Sequence, residues 1–255
     1  MHDLYLEQIE AFTEKKVYLR RIPARLIDYI YLHILGDAVL VISPTYKDYI
    51  GHLFCIEPDK IHVFSNASFP DLIKPNQNLP QVFTVLYAGS LMKGKGVLEL
   101  INGVRKLREK GLNIKLMLLG ETYSSVPKEE WIYVAHIPFM KIPVFYAKTN
   151  VCIIPFPKHI HYEYSRPIKL FDYMAAARPV ISLNRIEISQ IIDKYDCGIV
   201  AQSYADMFEQ IELLYHHPEL VKILGNNGRK AVESVFNWER NVNKLRNIIE
   251  ELSGR

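Results

Sequence analysis

Two short stretches of the chain place cationic side chains beside glycines or a helix start, an arrangement that suits phosphate binding. The first, residues 89–96, reads GSLMKGKG and follows an apolar run typical of a buried strand. It approaches the phosphate-binding loop G-x-x-x-x-G-K-[ST], in which backbone N–H groups and the lysine hold nucleotide phosphates. The pattern fails at Gly96, because a hydroxyl is needed there to hold magnesium. We therefore expect a phosphate-binding turn and rank magnesium-dependent phosphotransfer behind other functions.

The second stretch, residues 163–184, reads EYSRPIKLFDYMAAARPVISLN and predicts a loop, a helix and a buried strand. The helix is expected from about Arg166 to Ala177, with Ser165 as its capping residue. Cations in the first turn of a helix oppose the helix dipole, yet Arg166 and Lys169 both lie there. A bound anion at the helix N-terminus would explain them. Both stretches thus predict contacts to a negatively charged ligand.

These stretches resemble motifs of the family 4 retaining glycosyltransferases, which have the GT-B fold. Residues 165–182 are similar to the family's donor-site motif in the variant P-x-K-x-x-E-Y-M-A-A-x-x-P-V-I, and residues 89–96 match its pattern G-[RS]-L-x-x-x-K-G. Residues 236–239, FNWE, resemble its F-S-W-E signature. The resemblance runs from about Gly36 to the C-terminus. It also implies that the last helix crosses back to the first domain.

The resemblance implies roles for individual residues. Lys95 would contact the donor diphosphate, Asp172 the ribose hydroxyls, and the main chain of Ile137 the base. Ser90 stands where many relatives carry an arginine, so other cations would have to compensate. Tyr164 replaces the family's usual sugar-contacting glutamate, for which the neighbouring glutamate would substitute. The candidate donor-binding residues are Gly89, Ser90, Lys95, Ile137, Glu163, Arg166, Ile168, Lys169 and Asp172, and no residue is assigned as catalytic.

The rest of the chain predicts the elements that position these residues. Strand-like and helix-like segments alternate after residue 79, which indicates a parallel sheet covered on both faces. Residues 69–81 are rich in Pro, Asn and Asp and form the expected linker. We predict an α/β protein with an incomplete, acceptor-side α/β domain at 1–78. A Rossmann-like, nucleotide-sugar-binding domain of GT-B type follows at 79–255 and ends in two or three helices.

The first 78 residues predict helices at about Leu4–Lys16 and Pro23–Leu35, and then a strand, a helix and a second strand. They match only the closing part of the family's first domain. The basic second helix would either lie on an anionic membrane surface or pack as an ordinary domain helix with a solvated edge. The short sheet would leave an uncovered edge. Three coverings are considered: the preceding helices, a second copy of the chain, or a separate chain that completes the domain. Association is favoured, because two-stranded units are marginal alone and exposed apolar patches usually mark interfaces.

Composition excludes several classes of protein. With 255 residues and 49% hydrophobic content, the chain can bury a substantial core. Its net charge of +3 is too small to argue for nucleic acid, and no RNA-binding motif is present. Three scattered cysteines favour a reducing compartment. No signal peptide and no apolar run of about 18 residues is evident, so a soluble cytoplasmic protein is expected, with peripheral membrane association as the alternative.

A metal site is weakly suggested by His159 and His161, which alternate and precede Glu163. The sequence offers no clear further ligand, and the resemblance implies catalysis without a divalent ion. We therefore expect no metal and no cofactor, with the nucleotide diphosphate sugar acting as substrate. No nucleophile-elbow pattern is present.

The sequence thus predicts a retaining glycosyltransferase of polysaccharide biosynthesis. It would move a hexose-type sugar from a nucleotide diphosphate donor to a saccharide or lipid-linked acceptor. The rival hypothesis is a non-catalytic subunit that binds the nucleotide sugar and needs a partner chain for activity.

Overall fold

A computed structural model describes residues 30–76, 78–121 and 126–254 of the chain. Within them, a two-stranded parallel sheet is followed by a six-stranded parallel sheet. The strands are β1 (Val39–Val41), β2 (Ile61–Val63), β3 (Phe83–Ala88), β4 (Ile114–Leu119), β5 (Ile132–Ala135), β6 (Val151–Ile154), β7 (Val180–Leu183) and β8 (Gly198–Ala201). The helices are α1 (Pro44–Phe54), α2 (Val97–Glu109), α3 (Ile142–Tyr146), α4 (Ile160–Glu163), α5 (Ile168–Ala175), α6 (Ile186–Tyr195), α7 (Tyr204–His216), α8 (Pro218–Ser234) and α9 (Trp238–Ser253).

The six-stranded sheet has the order β5-β4-β3-β6-β7-β8. Every residue of β3, β6 and β7 is buried, because the central strands of a parallel sheet are covered on both faces. From β3 the chain winds outward through β4 and β5, returns to β6 on the other side of β3, and winds outward again. The strand order therefore reverses between β3 and β6, which is where ligands bind in sheets of this kind. The predicted α/β class and parallel sheet are confirmed.

The two-stranded sheet, with α1, forms a smaller unit with its own apolar core. Val39 pairs with Ile61 in a parallel register, and the Ser43 hydroxyl caps α1 by accepting from the Tyr46 N–H at 3.1 Å. The buried apolar residues of this unit are Leu32, Val39, Val41, Tyr46, Ile50, Phe54, Ile56 and Ile61.

The last helix returns to this smaller unit, as the resemblance implied. Lys244 Nζ donates to the Val63 carbonyl at 2.8 Å, and Asn241 Nδ2 donates to the Ser65 carbonyl at 2.6 Å. Just before α9, Asn237 forms an isolated parallel bridge with Ser68. These contacts fix α9 against the carboxyl end of β2. No helix in the described ranges is long and apolar enough to cross a membrane.

The helix of the second stretch is shorter than predicted. It begins at Ile168 with Pro167 at the N-cap, so the expected start at Arg166 and the capping role of Ser165 were wrong. A proline disfavours helical conformation in the residue before it, which keeps Arg166 out of the helix. Ala177 lies beyond the C-terminal end, with a positive φ of 54°.

Two other expectations differ from the structure or lie beyond it. The loop predicted at the start of the second stretch is preceded by the short helix α4, which ends at Glu163. The helix predicted at Leu4–Lys16, and the part of the next one before residue 30, lie outside the described residues.

Candidate functional site

The turn after β3 brings the backbone unusually close to neighbouring elements. Gly89 has a φ of 142° and Gly96 a φ of 76°, conformations that side chains rarely adopt. A Cβ at Gly89 would overlap the Lys169 ammonium, and a Cβ at Gly96 would overlap the Pro155 carbonyl oxygen. Glycine at these positions therefore lets the turn lie against both α5 and the end of β6. Gly96 is also the N-cap of α2 and leaves that helix start without a side-chain cap.

Two lysines converge where the strand order reverses. Lys169 Nζ lies 4.1 Å from the centroid of the Tyr87 ring and 5.2 Å from that of Phe156. Lys95 Nζ lies 5.3 Å from the same Phe156 centroid and 5.1 Å from that of Tyr162. The two cations thus share one aromatic ring just beyond β6, although the first stretch carries one and the second stretch carries the other.

This place is electrostatically unfavourable for cations alone. Burial, followed by the charge of Lys95, lowers the pKa of Lys169 from 10.5 to about 7. Burial lowers the pKa of Lys95 as well. The pKa of His161 is lowered by burial, by Lys95 and by His159. In the described residues no carboxylate pairs with Lys169. A bound anion would favour the charged form of these groups.

A buried hydroxyl in the same turn lacks a hydrogen bond. Ser90 Oγ has no partner among the described residues, whereas the Ser90 carbonyl accepts from the Tyr87 hydroxyl at 3.1 Å. Buried polar atoms are nearly always paired, so this hydroxyl, which belongs to the same turn as Lys95, is a candidate donor to an acceptor such as a phosphate oxygen. The chemistry of the residues present fits an anionic group at this position.

The start of α5 offers further donors. Pro167 provides no side-chain cap, and helix geometry leaves the first N–H groups without intrahelical acceptors. Ile168, the first helical residue, is 43% exposed. The N-terminal partial charge of α5 therefore adds to that of Lys169, which lies in its first turn.

Arg166 and Glu163 are held elsewhere by ion pairs. Arg166 Nε lies 2.7 Å from Glu187 Oε2, and its Nη1 lies 3.4 Å from Ser65 Oγ. Glu163 pairs with Arg185 and also accepts from the backbone N–H of Ile186. The structure therefore does not bring these two candidates together with the lysine pair. Both pairs tie the loop before α5 to the start of α6.

Asp172 lies in a separate, largely apolar cavity of about 70 Å³. Its Oδ1 accepts from the Ser68 hydroxyl at 2.6 Å. Burial raises the pKa of Asp172 to about 6, against the opposing effect of that hydrogen bond. Phe69 and Met140 stand at the cavity wall. Because ligand sites usually exceed about 300 Å³, a ribose could reach Asp172 only if this wall moved.

The remaining candidate residues, Ile137, His159 and His161, make ordinary packing or capping contacts. Ile137 follows β5, is half-buried and packs against the main core. His159 Nδ1 accepts from the His161 N–H at 3.2 Å and so caps α4. Across the described ranges, no three His, Cys, Asp or Glu side chains form a group able to hold a metal ion.

A family model for group 1 glycosyl transferases matches residues 82–217, just over half of the chain. The chain belongs to this family. The match covers β3 to the end of α7, and therefore includes the lysine pair, the glycine turn and α5.

This chain has, among others, two sequence relatives that are described as glycosyltransferases. It is 27% identical over 188 residues to the capsular polysaccharide biosynthesis glycosyltransferase CapM of Staphylococcus aureus, covering 68% of this chain and 48% of CapM. It is 28% identical over 180 residues to an uncharacterized glycosyltransferase of Methanocaldococcus jannaschii, covering 66% and 48%. The chain thus spans about half the length of these relatives.

Solved structures support the GT-B fold of this group 1 glycosyl transferase. Sucrose-phosphate synthase from Thermosynechococcus elongatus superposes with a TM-score of 0.76 at 20% identity, covering 98% of this chain and 66% of that one. S. aureus TarM, solved with fondaparinux, alpha-GlcNAc-glycerol and UDP, gives a TM-score of 0.71 at 16% identity, with coverages of 88% and 46%. At these identities the likeness concerns the fold alone.

Sequence reasoning missed the aromatic frame of the lysine pair and the partner of Arg166. Tyr87, Phe156 and Tyr162 surround the two ammonium groups, and the run of aromatic residues before the second stretch was the available signal. Glu187 gave no signal, because only the fold brings it to Arg166.

Proposed function

We propose that this chain binds a nucleotide diphosphate sugar at the carboxyl ends of β3 and β6 and transfers the sugar to a saccharide or lipid-linked acceptor with retention. The observation that carries this proposal is the convergence of Lys95 and Lys169 on Phe156, together with the unpaired Ser90 hydroxyl in the turn that carries Lys95. Membership of the group 1 family supports it. So does TarM, a structure of the same fold that contains UDP.

The reaction requires stabilisation of the departing diphosphate. As the bond between the anomeric carbon and the diphosphate oxygen breaks, negative charge grows on the leaving group. Lys95 and Lys169 would offset this charge, and the Ser90 hydroxyl would donate to a phosphate oxygen. The N-termini of α2 and α5 would supply backbone N–H groups. Gly89 leaves room for the Lys169 ammonium beside the turn, because a side chain there would occupy the same place.

The rest of the donor would extend toward β5. Asp172 would accept from the ribose hydroxyls once the Phe69 wall opens, and the main chain of Ile137 would face the base. Glu163 and Arg166 would position the loop that leads into α5 through their ion pairs, and the sugar would lie next to this loop.

A second function stays open because the chain spans about half the length of its curated relatives. A chain of this extent can be a nucleotide-sugar-binding subunit that another polypeptide completes. The two functions share the donor site and differ in turnover. Release of nucleoside diphosphate from a radiolabelled nucleotide sugar, measured with acceptor extracts and without any second protein, separates them.

The donor site itself is tested by calorimetric titration with UDP, GDP and ADP and with the matching nucleosides. Lys95→Ala should weaken the preferred diphosphate ten- to a hundredfold, because a charge-assisted phosphate contact contributes about 1.5–3 kcal/mol. The nucleoside should be almost unaffected. Lys106→Ala, which removes an exposed lysine of α2, is the matched control. Equal losses for nucleoside and diphosphate would remove Lys95 from the phosphate site.

A further inference from the structure

A second cavity lies between α9 and the carboxyl end of β2. Its volume is about 470 Å³, within the range of small-molecule sites. It is here called the α9 groove. Its lining residues are Val63, Ser65, Arg166, Val235, Phe236, Arg240, Asn241, Asn243, Lys244 and Asn247.

The lining has one sign of charge and many hydrogen-bond donors. It contains three cationic side chains and three side-chain amides, and no carboxylate. Four of the polar residues, Arg240, Asn243, Lys244 and Asn247, follow a spacing of three, four and seven residues that places them on one face of α9. The acidic residues of this helix, such as Glu239, lie outside the lining. A merely solvated helix face would mix both signs.

Some of these polar side chains bind the backbone of the neighbouring segment, and others have no hydrogen-bond partner among the described residues. Lys244 and Asn241 are used to fasten α9 to the carbonyls of Val63 and Ser65. The side chains of Arg240, Asn243 and Asn247 make no hydrogen bond or ion pair with any described residue. The guanidinium and the two amides together offer many N–H donors, which suits an oxygen-rich anionic ligand.

The groove also has an apolar side and lies near the donor helix. Val235 is 37% exposed and lies next to the buried Phe236, so this part of the wall can pack against the C–H face of a sugar ring. Arg166 lines the groove and lies two residues before the first residue of α5. A ligand in the groove would therefore lie beside the loop that leads to the donor site.

We propose that the α9 groove binds a saccharide that carries phosphate or carboxylate groups, and that it recognises the acceptor of the transfer reaction. This inference rests on the proposed function for its role in transfer. Binding of the anionic saccharide itself requires only the groove. Arg240 and the two unpaired amides hold the anionic group, and Val235 contacts the ring.

The test uses calorimetric titration of the full chain at low salt with three probes. These are a glycerol phosphate trimer, a trigalacturonate and the neutral maltotriose. The anionic probes should bind more weakly as salt increases, because exposed charges are screened. Whichever anionic probe binds more tightly identifies phosphate or carboxylate as the group recognised. Failure of both, or equal binding of maltotriose, would overturn the proposal.

Variants then locate the binding. Changing Arg240 to Gln and Asn243 and Asn247 to Ala together should weaken the preferred anionic probe at least tenfold. Arg246→Gln, which removes an exposed cation of the same helix outside the lining, should leave it unchanged. Equal losses of affinity in the two proteins would show a general charge effect and would refute binding in the α9 groove. Circular dichroism and thermal unfolding confirm that the triple variant folds.

The donor site is measured in parallel so that the two proposals fail separately. The triple groove variant should keep its affinity for UDP, GDP or ADP, and Lys169→Met should keep its affinity for the anionic saccharide. Loss of saccharide binding in Lys169→Met would place that ligand at the lysine pair and overturn the groove assignment. Absence of nucleotide binding in every protein would refute the donor site and leave the groove standing.

Discussion

Lys169→Met should make the protein more stable and its donor site weaker. The ammonium lies against Tyr87 and Phe156 with Lys95 nearby, and no described carboxylate pairs with it. Methionine keeps the length and the apolar stem of the side chain and removes the charge. The substitution therefore measures the free-energy cost of the buried charge without also removing the packing contacts of the side chain.

The magnitude follows from the pKa of Lys169. A decrease from 10.5 to about 7 corresponds to at most about 5 kcal/mol, at about 1.4 kcal/mol per pKa unit. The attraction of the ammonium to the Tyr87 ring offsets about 0.5–2 kcal/mol, and partial exposure reduces the cost further. We expect Lys169→Met to gain about 1–3 kcal/mol in free energy of unfolding at pH 6.5.

The sign depends on pH. Because the folded-state pKa lies below the unfolded value, the unfolded chain binds more protons between about pH 7 and 10.5. The stability of the wild-type protein therefore rises through this window, relative to the variant, as Lys169 loses its proton in both states. The gain from Lys169→Met should be largest below pH 7 and should approach zero near pH 10.5.

Urea unfolding at pH 6.5 and pH 9.5 measures the stability, and titration with the preferred nucleoside diphosphate measures the affinity. The variant should lose ten- to a hundredfold in affinity at pH 7. In the wild-type protein the affinity should fall between pH 7 and 9, and in the variant this dependence should disappear. Lys106→Met provides the control for loss of an exposed lysine. A destabilised variant with unchanged affinity would refute the reasoning.

Three further substitutions test other parts of the structure. Asp172→Asn should keep the acceptor for Ser68 and raise stability by about 1–3 kcal/mol at pH 8 but little at pH 4. The cost of the buried carboxylate grows as pH rises from 3.8 to about 6 and is complete above that value. No gain in urea unfolding would argue against burial of the charged form. Glu187→Ala should cost about 3–5 kcal/mol, because it removes the fully buried carboxylate that pairs with Arg166, whose side chain is only 12% exposed, and Glu233→Ala is the exposed control; a similar cost for both would contradict the role of burial. Gly96→Ala should weaken diphosphate binding and lower the melting temperature, because its Cβ would meet a backbone carbonyl. The control Gly111→Ala, also at positive φ but in open space, should affect stability alone. Equal diphosphate affinities in the two variants would show that the turn does not contact the ligand.

The sequence predicted the sheet well because its central strands are buried on both faces and read as unbroken apolar runs. The residues of β6 and β7 illustrate this. It assigned Arg166 to the same anion as Lys169, whereas the structure pairs this guanidinium with Glu187, which only the fold brings near. A role of Arg166 in donor binding stays a prediction. The boundary of α5 was missed by two residues because proline restricts the residue before it.

The distribution of satisfied and unsatisfied buried charge locates the site more sharply than any single motif. Arg178 is buried and donates to the carbonyls of Tyr146, Asn76 and Ala147, and Glu187 is buried and accepts from Arg166 and from the backbone of Thr45. These groups are structural, because their partners are within the protein and each bond offsets the cost of burial.

At the switch between β3 and β6 the opposite holds. Lys169 is held with a lowered pKa, and the Ser90 hydroxyl has no acceptor among the described residues. Removing either feature would make the free protein more stable, since burying a charge or an unpaired hydroxyl costs free energy. The same fold provides protein partners for the buried charges of Arg178 and Glu187, so a protein partner for Lys169 would have been possible as well. This contrast supports our proposal that a ligand completes this place. A diphosphate would supply the negative charge and the hydrogen-bond acceptors that the described residues do not.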